Sequence, residues 1–256
     1  MKDLYLEERR QEIVKFINDC GRVSVDQLVD KFAVSAVTVR ADLQVLSERY
    51  LIVRTHGGAV SSGRGLHELS LAIRSQQKTV EKDRIGKAAA ALIADDSAVV
   101  VDSSSTALAI TRYLKHSHGL TILTNSVALA HEMLDAAGVT VAMPGGTIRR
   151  EMGSLTGGIG LEMFDKFNFQ KGVFGAYGFS LVEGLTEASV AESEIKRKLV
   201  AMCREVIAVI DSTKWGRFGV TSFAAPGLIH RVITDVHAPP DLVEHARALG
   251  IQVDLV

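Results

Sequence analysis

The chain has 256 residues, 47% of them hydrophobic, with 29 Lys and Arg set against 30 Asp and Glu for a formal net charge of −1. That is more than one average domain requires and enough apolar content to bury a sizeable core. The balanced charge excludes a protein that binds a polyanion with its whole surface, and only 2 cysteines exclude a disulfide framework. No stretch approaches the roughly 20 apolar residues of a membrane span, and Lys2 to Glu12 is charged, not an apolar leader, so a cytoplasmic location is expected.

From the start of the chain, Glu7 to Asp19 places Ile13, Phe16 and Ile17 on one helical face, and Gly21 can end that helix in a left-handed conformation. Ser24 with Gln27 three residues on has the capping-box pattern, which opens a second helix with Leu28, Val29 and Phe32 inward. After a break at Ala33 and Val34, Ser35 caps a third helix. It turns Val39, Leu43 and Leu46 inward and leaves Ala36, Val37, Thr38, Arg40, Ala41 and Gln44 outward. Two helices joined this tightly make a helix-turn-helix, whose second helix enters the major groove and reads bases from its N-terminal residues. Leu51 to Thr55 alternates like a short strand and Gly57-Gly58 permits a tight turn, forming a wing. The candidate DNA contacts are Ser35, Val37, Thr38, Arg40 and Gln44 on the helix, with Arg54 and His56 on the wing. Arg40 suits phosphate or guanine, and Val37 a thymine methyl. Within residues 1–60, nine basic residues balance nine acidic ones. From Ala33 to Arg64, however, Arg40, Arg49, Arg54 and Arg64 face only Asp42 and Glu48, so positive charge gathers on the recognition helix and wing. Taken alone, these residues also fit a three-helix domain whose charges merely solvate it.

Ser61-Ser62-Gly63-Arg64-Gly65 is a small polar run, so the expected domains are 1–60, a linker 61–66, and 67–256. His67 to Ala94 reads mostly helical. Seven apolar runs follow, Ala98–Val101, Leu120–Leu123, Val139–Met143, Gly172–Gly175, Val206–Ile210, Val232–Ile233 and Ile251–Leu255. They alternate with helical stretches, the pattern of an α/β domain with a mostly parallel sheet. Pro239-Pro240-Asp241 opens the last helix. Ligands of such sheets bind beyond the strands' carboxyl ends. Those ends carry Asp102-Ser103-Ser104-Ser105-Thr106, Thr124-Asn125-Ser126, Gly145-Gly146-Thr147, Gly175-Ala176-Tyr177-Gly178 and Asp211 to Gly216. Hydroxyls and backbone N–H groups at a helix start suit an anion, Lys214 adds a cation, and Asp102, which repels phosphate, suits sugar hydroxyls. Read singly, the first loop is equally an ordinary helix cap. The candidate effector contacts are Asp102, Ser103, Ser104, Ser105, Thr106, Asn125, Gly145, Gly146 and Lys214, with Glu192 and Lys196 near the rim. The 8 histidines are scattered without partners at ligand spacing, so no metal is expected, and no cofactor.

Ser35-x-x-Thr38-Val39-Arg40-x-Asp42-Leu43-x-x-Leu46, followed by Arg54-x-His56-Gly57-Gly58-Ala59, resembles the N-terminal signature of the DeoR family of bacterial transcriptional regulators. Ala41 stands where many members carry a second basic or polar residue, and Tyr50 where a glycine usually precedes the wing. The later strand ends are similar to the family's sensor domain. Asp102, Ser105 and Thr106 match its phosphate loop, Asn125, Gly145 and Gly146 the next two strand ends, and Asp211 and Lys214 its Asp-x-x-Lys segment. Ser104 stands where the loop usually has glycine. The resemblance implies a winged helix-turn-helix followed by an α/β domain similar to pentose-phosphate isomerases. It also implies operator DNA and a phosphorylated sugar or related metabolite as partners, in a repressor of carbohydrate catabolism genes. Paired half-sites make a homodimer or homotetramer the expected state. The alternative is a sugar-phosphate isomerase-like enzyme using Asp102, Glu192 and Lys214 as acid-base groups. A catalyst has no need of the DNA-binding signature, so no catalytic residue is assigned.

Overall fold

The computed structural model of the chain describes residues 6–48, 52–55, 57–61, 70–164 and 166–256. They fall into two compact units, Met1–His67 and Glu68–Val256.

In the first unit α1 (Leu6–Cys20), β1 (Arg22–Ser24), α2 (Val25–Phe32) and α3 (Ala36–Glu48) precede β2 (Ile52–Thr55) and β3 (Gly58–Ser61). The capping box forms as the residues dictate: Gln27 N donates to Ser24 Oγ at 3.1 Å and Ser24 N to Gln27 Oε1 at 2.8 Å. α2 ends at Ala33, whose left-handed φ of 53° turns its N–H back to Val29 O. Ile13, Ile17, Leu28, Val39, Leu43 and Leu46 then meet Val23, Ile52 and Ala59 in one core. β1 is an element that periodicity did not reveal; it makes the wing a three-stranded sheet of order β1-β3-β2. It also gives Gly58 its reason. A Cβ there would lie 2.0 Å from Val23 O, so close strand approach, not turn conformation, demands glycine. His56, Tyr50 and residues 62–66 of the expected linker lie outside the described residues.

In the second unit the seven apolar runs become one parallel sheet of order β15-β14-β12-β9-β4-β5-β6. Its strands are β4 (Ala98–Val101), β5 (Leu120–Leu123), β6 (Val139–Ala142), β9 (Phe169–Phe174), β12 (Cys203–Val209), β14 (Arg231–Thr234) and β15 (Gln252–Leu255). The stretch from His67 to Ala94, expected as mostly helical, holds two helices, α4 (Leu71–Ser75) and α5 (Thr79–Ala90), parted by a turn in which Lys78 takes φ 53°; residues 67–69 lie outside the described residues. Single-turn helices α6 (Ser105–Leu108) and α7 (Thr111–Leu114) follow β4, and α8 (Val127–Glu132) follows β5. The other face is covered by α9 (Val190–Ala201) and α10 (Pro240–Ala248), the latter opening with its proline in the first turn. Val99, Val101, Val173, Ile207 and Val209 pack with Ile85 and Ala89 of α5, while Val100, Phe174, Val206 and Ala208 pack with Ile195 and Leu199 of α9. Burial on both faces is why these strands read as unbroken apolar runs. Two polar additions were not visible as strands: the hairpin β7 (Gly145–Arg149) and β8 (Ser154–Ile159), and a small sheet of β10 (Gly178–Ser180), β11 (Gly184–Glu187) and β13 (Thr221–Ala224). Among the described residues no helix is long and apolar enough to cross a membrane.

Candidate functional site

The outward start of α3 is built by its cap. Thr38 N donates to Ser35 Oγ at 3.1 Å and the two hydroxyls lie 2.9 Å apart, so Ser35 and Thr38 engage each other at the helix entrance. Val37 is 75% exposed, a large apolar side chain that no described residue covers, and Arg40, Ala41 and Gln44 are exposed beside it. Ala36, expected outward, packs against the core instead. Arg54 reaches from β2 to donate to Gln44 Oε1, which ties the wing to the helix. Asp42 corrects the charge count made from sequence. It is 1% exposed and accepts from Arg9 Nε at 2.7 Å and Arg10 Nε at 2.9 Å. Its charge is taken up by α1 and does not oppose Arg40.

In the second unit the loop Asp102 to Thr106 is buried throughout, and successive side chains leave it in different directions. Ser103 Oγ donates to Glu192 Oε1 at 2.6 Å. Asn125 Nδ2 donates to Ser103 Oγ at 3.2 Å and to Glu192 Oε1 at 3.3 Å, while its Oδ1 is buried without a partner. Arg149 and Ser154, carried in by the β7–β8 hairpin, donate to Glu192 Oε2 at 2.8 and 3.0 Å. Burial alone would raise the Glu192 carboxyl, but Lys196, the Ser103 hydrogen bond and Arg149 together hold it below the ordinary glutamate value.

Asp102 departs from the expected contact with sugar hydroxyls. It is fully buried, with Oδ1 accepting from Ser104 N at 3.0 Å and Oδ2 from Gly175 N at 3.0 Å and pairing with Lys196 Nζ at 2.6 Å. Following β4 directly, it is carried beneath the loop and serves as the floor. Lys196 also pairs with Glu187 at 2.6 Å and donates to Gly175 O at 3.0 Å. Burial opposes its charge, yet Asp102 and Glu187 raise it above the usual lysine value. Ser104 fits without strain at φ −73°, ψ 151°, its Oγ accepting from Ala107 N at 3.0 Å. The space comes from Gly175, where a Cβ would lie 2.2 Å from Ser104 Oγ. Gly145 and Gly146 are exposed and open β7, not a ligand loop. Gly146 sits at a register shift against β8 with φ 153°, where a Cβ would meet Thr156 O at 2.1 Å. The hairpin bulge explains the glycine at 146.

Ser105 faces the other way, toward cations. Lys82 Nζ donates to Ser105 Oγ at 3.0 Å and to Arg74 O at 2.5 Å. It is 6% exposed, and no described carboxylate forms an ion pair with it. Burial first, then Lys214 and Arg74, push its pKa down to about 8 against the pull of Asp211. Lys214, in the turn after β12, is lowered by burial, with Arg217 and Arg74 adding to it and Asp211 opposing. Because α6 is one turn long, the positive field at this end comes from side chains, not from a helix dipole. Lys82 and Arg74 escaped the sequence reading, although Lys82 shares an inward stripe with Ile85 and Ala89 that could have flagged it. Thr106 is buried beside Ser105. Among the described residues no group of three or more His, Cys, Asp or Glu side chains could hold a metal ion.

Comparison with known proteins places these two units in one family. Residues 9–64 match the DeoR-like helix-turn-helix domain and residues 77–236 the DeoR C terminal sensor domain. The HTH-type transcriptional repressor GlcR of Bacillus subtilis (strain 168) is 32% identical over 91% of this chain and 89% of its own length. The glycerol-3-phosphate regulon repressor of Escherichia coli (strain K12) is 28% identical over 97% of this chain and 98% of its own. Among solved structures, a D-ribose-5-phosphate isomerase in complex with phospho-erythronic acid overlaps 52% of each chain at TM-score 0.40 and 15% identity. Two matched domains in order, with full-length relatives that are repressors, make the chain a member of the DeoR family of transcriptional regulators.

Proposed function

We propose that this regulator represses genes of carbohydrate use and changes its operator affinity when the second unit takes up a phosphorylated sugar or a related metabolite. The observation that carries the reading is the pair of ammonium groups at the Ser105 end, Lys82 and Lys214, which no described carboxylate pairs. Lys82 is buried and Lys214 half-buried, Asp211 attracts both without forming an ion pair with either, and a cation buried without a contacting counter-charge is costly, so a dianionic phosphate supplies what the chain withholds. On the opposite side of the loop, Glu192 and the unpartnered Asn125 Oδ1 offer acceptors for hydroxyls. On α3, Val37, Arg40 and Gln44 are the base-reading set, with Arg54 positioning the wing. The regulator acts in the cytoplasm as a homodimer or homotetramer, since paired half-sites need paired α3 helices.

Binding without turnover fits the site better than catalysis. Glu192 is held ionised below its ordinary range and is a weak base near neutrality. Asp102 is locked under the loop by Lys196. A thermal-shift screen of pentose and hexose phosphates against their unphosphorylated forms tests the reading, because a native-state ligand raises apparent stability. Stabilisation by phosphorylated compounds alone, unchanged in NMR spectra after incubation, supports it; steady conversion of any of them overturns it in favour of an enzyme.

A further inference from the structure

Lys82 stands between two neutral acceptors that belong to different parts of the unit. One is the Ser105 hydroxyl of the loop, at 3.0 Å; the other is the Arg74 carbonyl, at 2.5 Å, at the end of α4. The same carbonyl accepts from Gln77 N at 3.2 Å, so the ammonium completes the C-terminal turn of α4. That helix is held lightly. It has five residues, none of them buried, and among its ties are the Ser70 cap, a bond from Leu71 N to Glu151 O at 2.8 Å, and Arg74 against Met152 Sδ at 3.6 Å. It is also the first helix after residues 62–69, which lead back to the last strand of the wing.

We propose that Lys82 is the coupling residue of the regulator: an anion bound at the Ser105 hydroxyl draws its ammonium off the Arg74 carbonyl and so loosens α4, the start of the path to the DNA-binding unit. The proposal rests on the anion-binding reading above. The direction follows from charge, since the ammonium meets the carbonyl as an ion meets a dipole but meets a phosphate oxygen as an ion meets an ion, and at equal distance in a buried setting the second attraction is the stronger. The groups that face Lys82 favour the exchange. Arg74 from α4 and Lys214 from the turn after β12 repel it, Asp211 attracts it, and Glu81 on its own helix, paired with Lys78 at 2.9 Å, adds a weaker attraction. A ligand can shift a structural equilibrium only through a contact that differs between its two states, and Lys82 supplies one.

Hydrogen exchange on the full-length protein, with inorganic phosphate against chloride at matched ionic strength, reads both ends of this contact. Phosphate is expected to slow exchange at residues 102–106 and to speed it at residues 71–77 by about threefold or more. In Lys82→Met, residues 71–77 should exchange fast with or without phosphate, whereas Lys82→Arg, which keeps the charge, should respond like the unaltered protein. Slowing at 102–106 with no change at 71–77 in the unaltered protein overturns the coupling and leaves the anion site standing. Acceleration at 71–77 that persists in Lys82→Met overturns it too. No slowing at 102–106 in the unaltered protein overturns the coupling together with the anion site. Should Lys82→Met fail to fold, Lys82→Gln takes its place, and the outcomes read in the unaltered protein still overturn the coupling by themselves.

Discussion

Replacing Lys196 with methionine tests the floor of the sensor site. The ammonium lies 2.6 Å from both Asp102 and Glu187 and donates to Gly175 O at 3.0 Å, with every partner buried. Methionine matches the aliphatic stem and leaves two buried carboxylates without the ammonium between them. Asp102 keeps the backbone donors of Ser104 and Gly175, while both carboxylates lose the ammonium they share. Breaking a buried pair from one side costs about 3–5 kcal/mol. The loss should depend on pH in a definite sense. In the variant, one carboxyl has its folded pKa raised above the unfolded value, so that it regains stability as pH falls through that raised value, and the deficit is largest near neutrality. The protein has a single tryptophan, Trp215, packed edge-on against Phe179 at 5.0 Å with Nε1 donating to Thr234 Oγ1 at 3.1 Å. Its fluorescence therefore follows the unfolding of this unit in urea without interference from the DNA-binding unit. A loss below about 1 kcal/mol, or one equal at about pH 5.5 and about pH 8, would refute the account of Asp102 and Glu187 as charges held by Lys196.

Other perturbations probe the remaining contacts. Lys82 has a folded pKa of about 8 against 10.5 for the free side chain, so the unfolded chain binds more protons between those values. Ligand-free stability should rise with pH across that window by up to roughly 3 kcal/mol, and Lys82→Met should flatten the rise in urea titrations. Arg40→Ala, at an exposed position, should weaken operator binding by about 1–3 kcal/mol in gel-shift titrations at fixed salt while leaving thermal unfolding unchanged. Lys214→Ala should cost about 1.5–3 kcal/mol of calorimetric preference for a phosphorylated sugar over its unphosphorylated form; an unaltered preference removes Lys214 from the phosphate end. Gly58→Val brings a side chain onto Val23 O and should destabilise the first unit by more than about 2 kcal/mol, measured by its own far-UV melting.

The central sheet could be read directly, because strands buried on both faces print themselves as continuous apolar runs, and the capping box at Ser24 and Gln27 announced α2. β1 could not: three residues are too few to show a period, and its one trace, the glycine at 58, reads equally well as part of a tight turn. At the site, the loop from Asp102 to Thr106 stood out in sequence, but the direction of each side chain did not. Asp102 and Ser103 are neighbours in the chain yet answer to Lys196 on one hand and Glu192 on the other. The groups that give the loop its chemistry arrive from far along the chain, Lys82 from 23 residues before Ser105 and Glu192 from 89 residues after Ser103. Local spacing carries no trace of such meetings. Asp42 taught the same lesson in the first unit, where its partners sit 33 and 32 residues upstream.

The strand order also decides when each part of the molecule comes into being. β9 lies at the middle of the sheet between β12 and β4, and its Gly172 pairs with Val100. The core of the first unit, by contrast, draws among the described residues on Ile13 to Ala59. Short-range contacts form early and long-range parallel pairing late. During synthesis the DNA-reading unit is therefore complete while the sheet still lacks its middle, and a chain that stopped short of β9 would hold DNA with no means of hearing a metabolite. Premature termination in the second half of the gene should consequently yield a regulator stuck in its ligand-blind state wherever one α3 can grip DNA alone, and a silent product wherever pairing of sensor units is required.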